Sequence, residues 1–556
     1  MKLSQFKHAR ISQTGNLISI IHEYKRYILI KIIDCKKQIF FHKKYYNITP
    51  SSIIKYFFVK DTLIVFYTKN SMYYLDSISL KNNKLLTQRI FKTDMPNCNL
   101  FYCTDYYAIT SFEKDACTRE YISRVYLFKP EKIECKKITE LPGIIEQIFA
   151  TSKKIYLNLI NSHGLKKILV LDNQKNIYEL IDDYNKLSLK ILDANDKYLV
   201  CSGELFDETI NFIIHNDSLN FFNLSFITNN QISYAKLYND YLCIISNKGC
   251  NDEFYIVNLK DNSSHLISNI GTNIRCVSYK NNMMFYFQCT YNSLSYCSYN
   301  LCTGDKTLIW ENKHHINSIM RVENINLSER TLEIMHFYNT GKSKGTIFYL
   351  HGGPSTHFKN EYNQVCDFLS SAGYDIICLN YRGSTGYGKD FQKQIDGNWG
   401  IKEIEDVIEI TKKYSSSNNI LLGESYGAFL CLHSILRNPK LWKKCCMLSP
   451  FLTPLSMYNN PDFANKNLIK PQLNSKINDC DFNHFKNIDC KILIVHGTND
   501  SVIPISESEK IVEILEHNKK NMNSDFWFIK GNFKHSLNYQ SEFHFFENIL
   551  ISFLTQ

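Results

Sequence analysis

Ile420-Leu421-Leu422-Gly423-Glu424-Ser425-Tyr426-Gly427 is an apolar strand running into Gly-x-Ser-x-Gly, and Ala428, Phe429, Leu430, Leu432, Ile435 and Leu436 continue it at helical spacing. Strand, sharp turn and helix in that order are the layout of a nucleophile elbow, where a serine hydroxyl stands clear of a sheet on tightly turned backbone. Gly423 and Gly427 flank the serine at places where a side chain would collide with the neighbouring strand or helix. The pentapeptide recurs by chance in long chains; the strand before it and the helix after it give it meaning.

Downstream, Lys491-Ile492-Leu493-Ile494-Val495 runs into His496-Gly497-Thr498-Asn499-Asp500, and Phe526-Trp527-Phe528-Ile529 runs into Gly531-Asn532-Phe533-Lys534-His535. An acid after one strand and a histidine after the last, both following the serine, is the order of a triad on such a sheet. The separations, 75 residues from Ser425 to Asp500 and 35 from Asp500 to His535, leave room for a strand, a helix and their loops. The expected roles are attack by Ser425, proton transfer by His535 and orientation of the imidazole by Asp500. Taken singly, Asp500 could cap the next helix and His535 could be an ordinary loop residue; their order and placement favour a joint site. Upstream, Thr346 to Leu350 leads into His351-Gly352-Gly353-Pro354. A glycine pair there lets a backbone N–H approach an oxyanion, with the N–H of Tyr426 as second donor; the alternative is a plain tight turn.

Around these pieces short apolar runs alternate with helical patterns. Strands are expected at Thr346 to Leu350, Asp375 to Leu379, Ile420 to Leu422, Cys445 to Leu448, Lys491 to Val495 and Asp525 to Ile529. Ile401, Ile404, Val407 and Ile408 mark an amphipathic helix, and Arg321 to Tyr338 suggests extended pairs. The pattern predicts a parallel sheet covered by helices on both faces, over residues 316–556.

Residues 1–315 have a different texture. A small polar turn followed by an apolar or aromatic strand recurs at Gly15, Asp61, Asp105, Lys153, Asp196, Asp240 and Asn282, in steps of 42 to 48 residues. A second hairpin is visible in most units, as in Tyr255 to Leu259 followed by His265 to Ile267. A period near 45 residues with about four strands per unit predicts an all-β propeller of seven blades, against the competing sandwich or solenoid.

Composition agrees with two large globular domains: 556 residues, 44% hydrophobic and 21% charged, are too many for one core and too apolar for disorder. The net charge of +10 comes from scattered lysine doublets rather than a basic stripe, so no nucleic-acid partner is expected. Nineteen cysteines without a C-x-x-C pair, behind an amino terminus lacking an apolar signal, predict reduced thiols in the cytoplasm. Cys445-Cys446 reads as buried strand residues, with a vicinal disulfide or redox pair as the alternative. No run is long enough to span a membrane, no cofactor or metal is expected, and self-association is left open.

Several stretches carry a family likeness: His351-Gly352-Gly353-Pro354, the run Asn380-Tyr381-Arg382-Gly383-Ser384-Thr385-Gly386-Tyr387-Gly388, Trp399-Gly400 with Asp406, Gly423 to Gly427, and His496 to Asp500 with Pro504. On these residues the chain resembles the prolyl oligopeptidase family of serine peptidases, most closely its acylaminoacyl-peptidase branch. The resemblance implies a β-propeller followed by an α/β-hydrolase domain, a triad of Ser425, Asp500 and His535, and oxyanion donors at the N–H groups of Gly353 and Tyr426. It also implies a propeller that restricts access to an internal cavity, and hence short peptides as substrates. Three positions depart from the pattern. Many members carry arginine where this chain has Val502, the prolyl-specific branch has tyrosine at His351, and a glycine usually follows Gly427 where Ala428 stands. The chain also lacks the Glu-Glu pair by which dipeptidyl peptidases hold a free amino terminus.

Overall fold

A computed structural model of the chain describes residues 10–12, 15–24, 27–34, 39–46, 53–81, 84–95, 97–103, 106–115, 121–129, 132–160, 166–172, 176–180, 188–205, 208–215, 221–224, 232–267, 273–314, 318–463, 466–479, 482–518, 525–537 and 540–556. Its first part is seven four-stranded antiparallel sheets, each built from four consecutive strands, at 10–46, 53–93, 99–142, 144–179, 188–223, 232–266 and 273–313. These are the blades of a propeller, numbered 1 to 7 in chain order.

The apolar run of each repeat unit forms the second strand of its blade, and blade 2 shows why it is so uniformly apolar. In the strand Thr62–Lys69 the five residues from Leu63 to Tyr67 are all buried. Side chains alternate across a strand, so Leu63, Val65 and Tyr67 pack on Ile28, Ile30 and Ile32 of blade 1 while Ile64 and Phe66 pack on Leu100 and Ile109 of blade 3. A strand covered on both faces must be apolar at every position, and each such side chain contributes about 1.5–3 kcal/mol. Outer strands lack that cover, and Lys306–Lys313 of blade 7 leaves Leu308, Ile309 and Trp310 exposed. The ring closes by side-chain packing of Ile11, Ile18 and Ile20 on Phe287, Leu294 and Tyr296, with the Tyr296 hydroxyl donating to Gly15 O at 2.6 Å. The repeat anchor Asp105 lies outside the described residues.

The second part is one eight-stranded sheet in the order Ser318–Asn326, Thr331–Asn339, Asp375–Asn380, Thr346–Leu350, Asn419–Glu424, Lys444–Leu448, Lys491–Gly497 and Phe526–Gly531. The first two pairings are antiparallel and the other five parallel. The Arg321 to Tyr338 segment is therefore the antiparallel pair at one edge. Helices Lys402–Lys413, Tyr426–Arg437 and Ser506–Asn518 pack on the face carrying Phe348, Leu421 and Cys445, and helices Gln364–Ser371 and Gln540–Thr555 on the face carrying Ile347, Ile420 and Cys446. Cys445 and Cys446 are thus buried free thiols on opposite faces of one strand, and no vicinal disulfide joins them. This is an α/β-hydrolase sheet, and its parallel strands deliver their carboxyl ends to one rim. Blade 7 ends at Lys313 and the sheet begins at Ser318; the expected boundary at 315/316 lies outside the described residues. Among the described residues no helix is long and apolar enough to cross a membrane.

Candidate active site

Ser425 stands between the strand Asn419–Glu424 and the helix Tyr426–Arg437 with φ 54° and ψ −118°. A side-chain-bearing residue in that conformation costs about 1–3 kcal/mol, which surrounding contacts must offset. One is the Ser425 N–H, which donates to Leu448 O at 2.8 Å. The others are close approaches that only glycine permits: a Cβ on Gly423 would lie 2.4 Å from Gly427 O, and one on Gly427 would lie 2.2 Å from Leu350 O. Gly427 therefore lets the helix start against the end of the strand Thr346–Leu350. Beneath the turn the buried Tyr426 ring meets Trp399 edge-on at 5.0 Å and donates its hydroxyl to Glu403, which also accepts the Gly400 N–H at 3.2 Å. Burial pushes the Glu403 carboxyl up to about 7, against the pull of these two bonds. Trp399-Gly400 thus braces the first residue of the serine's helix.

The structure brings Asp500 and His535 to Ser425. His535 Nδ1–H donates to Asp500 Oδ2 at 2.7 Å, and His535 Nε2 lies 3.0 Å from Ser425 Oγ, placed to accept its proton. The Asp500 side chain is fully buried, and its other oxygen accepts the N–H groups of Val502 at 2.8 Å and Ile503 at 2.9 Å. Burial alone would raise this carboxyl; hydrogen bonds from His496 and His535 and the His535 charge outweigh it and hold Asp500 well below the usual carboxylate range. The two loops are fastened to each other by Thr498 N–H to Gly531 O at 2.8 Å and Asn499 N–H to Phe533 O at 3.1 Å. A Cβ on Gly497 would lie 2.3 Å from Phe533 O, so that position too admits only glycine.

Gly352 lies against the serine: a Cβ there would stand 3.4 Å from Ser425 Cβ. The Thr356 hydroxyl donates to Gly352 O at 2.8 Å, and His351 Nδ1 is 2.7 Å from the same oxygen. In a planar trans peptide the N–H opposes the C=O, so this fixes the direction of the Gly353 N–H. Gly353 itself has φ +130° and joins Pro354 through a cis peptide. His351 is buried and stacked on Tyr381 at 4.2 Å, and burial lowers its pKa to about 4, so the ring is neutral. The N–H of Tyr426 lies in the first helical turn, where no intrahelical acceptor is available.

Several contributors carried no separate signal in the sequence. His496 Nε2 lies 3.0 Å from Ile503 O and 3.3 Å from Asp500 Oδ2 while its Nδ1 is 2.6 Å from Ser508 Oγ, so the ring ties the loop that carries the acid to the helix Ser506–Asn518. Arg382 donates through Nε and its backbone N–H to Asp406, tying the Asn380 to Gly388 run to the helix Lys402–Lys413. Arg330 Nε meets Asp406 as well, at 2.6 Å. Arg382 and Asp406 belong to quoted motifs, but their pairing across 24 residues is visible only in the fold. Val502 is exposed beside Asp500.

Residues 360–552 match the prolyl oligopeptidase family. Acylamino-acid-releasing enzyme 1 of Oryza sativa subsp. japonica is 36% identical over 103 residues, covering 17% of this chain and 13% of its own length. The acylamino-acid-releasing enzyme of Rattus norvegicus is 24% identical over 185 residues, covering 30% and 25%. The matched segments thus span a quarter or less of these relatives. In three dimensions the acylaminoacyl peptidase of Pyrococcus horikoshii superimposes with a TM-score of 0.79 at 13% identity, covering 99% of this chain and 95% of that one. A puromycin-hydrolyzing peptidase of Mycobacterium tuberculosis gives 0.76 at 10% identity, covering 99% and 95%. At these identities what is shared is the fold, propeller and hydrolase sheet together.

Proposed function

We propose that this chain, which carries a prolyl oligopeptidase family domain over residues 360–552, is a serine peptidase that cleaves short peptides through an acyl-enzyme. The observation that carries the proposal is the continuous Asp500–His535–Ser425 hydrogen-bonded line at the rim of the sheet. Ser425 Oγ attacks the acyl carbonyl while His535 Nε2 takes its proton. The resulting imidazolium is stabilised by Asp500, whose depressed pKa keeps it ionised. The N–H groups of Gly353 and Tyr426 receive the oxyanion. Collapse of the tetrahedral species breaks the C–N bond, with His535 returning the proton to the departing amine, and water then repeats the sequence on the acyl-enzyme.

The propeller is proposed to restrict access, so that short peptides are admitted and folded proteins are not. The names of the rice and rat relatives make peptides with acylated amino termini the first substrates to try. A reducing compartment such as the cytoplasm is proposed from the thiols, since of the cysteines whose side chains are described Cys302 is exposed and the others are buried.

A second reading, an esterase or acyl-transfer enzyme on the same scaffold, is favoured by Val502, which offers no cation to a substrate carbonyl. A library of blocked and free short peptides assayed beside p-nitrophenyl esters separates the two. Peptide cleavage supports the proposal; ester turnover with every peptide left intact overturns it in favour of the second reading.

A further inference from the structure

The two domains meet at blade 7, where Asn273 Nδ2 donates to Asn360 O at 2.8 Å, and at a hairpin of blade 6, where strands Tyr241–Lys248 and Asn251–Asn258 turn through Gly249 and Cys250. This turn is inserted into the hydrolase domain. The Gly249 N–H donates to Gly386 O at 2.7 Å, and the Cys250 N–H donates to Glu333 Oε1 at 2.6 Å. A Cβ on Gly249 would lie 2.5 Å from that carboxylate, and its φ is +61°, so the close approach needs glycine. On the other side of the turn Lys359 Nζ donates to Asp252 Oδ1 at 2.9 Å and to Asn247 Oδ1 at 3.0 Å. The Asn360 N–H donates to Cys250 O at 2.7 Å. The Asp252 side chain is only 4% exposed, so Lys359 is the counter-charge of a buried carboxylate.

These contacts converge on one residue of the oxyanion loop. Thr356, whose hydroxyl holds Gly352 O and so directs the Gly353 N–H, is three residues before Lys359. From the other direction its carbonyl accepts the Thr385 N–H at 3.1 Å, next to the Gly386 that the hairpin holds. Thr356 is therefore bracketed on both sides by segments fastened to the propeller. Between them Asn380 holds Phe358 from within the hydrolase domain, through Phe358 N–H to Oδ1 at 2.7 Å and Nδ2 to Phe358 O at 3.1 Å. Losing the hairpin's grip would loosen the loop rather than unfold it.

We infer that the blade 6 hairpin is a positioning element for the oxyanion loop, acting through the Lys359–Asp252 pair, so that the propeller sets the geometry of catalysis as well as its access. This rests on the serine-peptidase reading. The hairpin touches no reacting atom, so its removal should weaken what is gained only in the tetrahedral species and leave substrate binding unchanged.

The test measures kcat and KM for a cleaved peptide, and the affinity of a peptide aldehyde, on the full-length chain. The aldehyde carbon bonds to Ser425 Oγ and its oxygen takes the oxyanion position, so its affinity reports the hole directly. Lys359→Met and Asp252→Asn should each lower kcat and aldehyde affinity together by about ten-fold, with KM within about two-fold, since sub-ångström displacement of such donors is costly. Lys359→Arg, which keeps the charge, should restore most of the loss. Should Lys359→Met fail to fold, Asn247→Ala, which removes one acceptor and leaves the ion pair, is expected to lose about three-fold by both measures. Unchanged kcat and aldehyde affinity in a folded variant, or a loss confined to KM, would overturn the inference while leaving the peptidase reading intact. A wild-type protein that neither cleaves peptides nor binds the aldehyde would instead remove the reading itself, and the inference with it.

Discussion

Gly304 in blade 7 and Gly427 in the hydrolase domain lie in turns of very different tolerance. At Gly304 an added Cβ would meet nothing nearer than Tyr299 Oη at 3.7 Å, and only the positive φ of 77° favours glycine. At Gly427 the same atom would be driven to 2.2 Å from a backbone carbonyl. The propeller is held by many interchangeable apolar contacts between blades, of the kind Ile64 and Phe66 make with Leu100 and Ile109. The hydrolase rim is held by a few backbone approaches that position Ser425, Asp500 and His535 and tolerate no substitute. Repeated packing fixes a shape; single contacts fix a chemistry.

The largest effect expected from this contrast is on folding. Gly427→Ala should cost about 4 kcal/mol or more, or fail to fold, since the obstruction is backbone that cannot give way, whereas Gly304→Ala should cost about 1 kcal/mol. Urea unfolding of the two variants measures both, and equal losses would break the distinction between the regions.

A smaller effect concerns pH. Glu403, under the elbow, keeps its proton to about pH 7 in the folded chain, whereas the unfolded chain releases it near pH 4.5. Between those values the folded state binds more protons, so stability falls as pH rises through the window and is flat above it. Asp500 acts in the opposite sense: its depressed pKa contributes stability that is present above the unfolded value near 3.8 and is lost as pH falls through the folded one. Its window lies below that of Glu403. Glu403→Gln should remove a decline of about 2–3 kcal/mol between pH 4.5 and 7. An unchanged slope in that variant would show that Glu403 titrates normally.

How far the chain could be read depended on where partners lie. The repeat was legible through the second strand of each blade, because a strand covered on both faces is apolar throughout, as Leu63 to Tyr67 is. Short inner and outer strands such as Asn99–Cys103 and Ile177–Glu179 carry no such signal; Ile177 and Tyr178 are exposed. In the second domain Ser425, Asp500 and His535 could be singled out because each follows an apolar strand or the turn closing it. His496, Thr356 and Lys359 could not, since their meaning comes from partners supplied by the fold: Asp500 with Ser508, the Gly352 carbonyl, and an aspartate 107 residues away. Strand ends shifted for a similar reason. Asn380 extends its strand beyond Leu379 by pairing with Glu333, a residue of the antiparallel edge.

Covalent labelling of the folded chain with a fluorophosphonate, followed by peptide mapping, shows whether Ser425 is a nucleophile. One adduct on Ser425, absent from Ser425→Ala and formed far more slowly in His535→Ala, is the predicted result. No adduct on folded wild-type protein, or an adduct that persists at another residue in Ser425→Ala, would show that Ser425 is not the nucleophile.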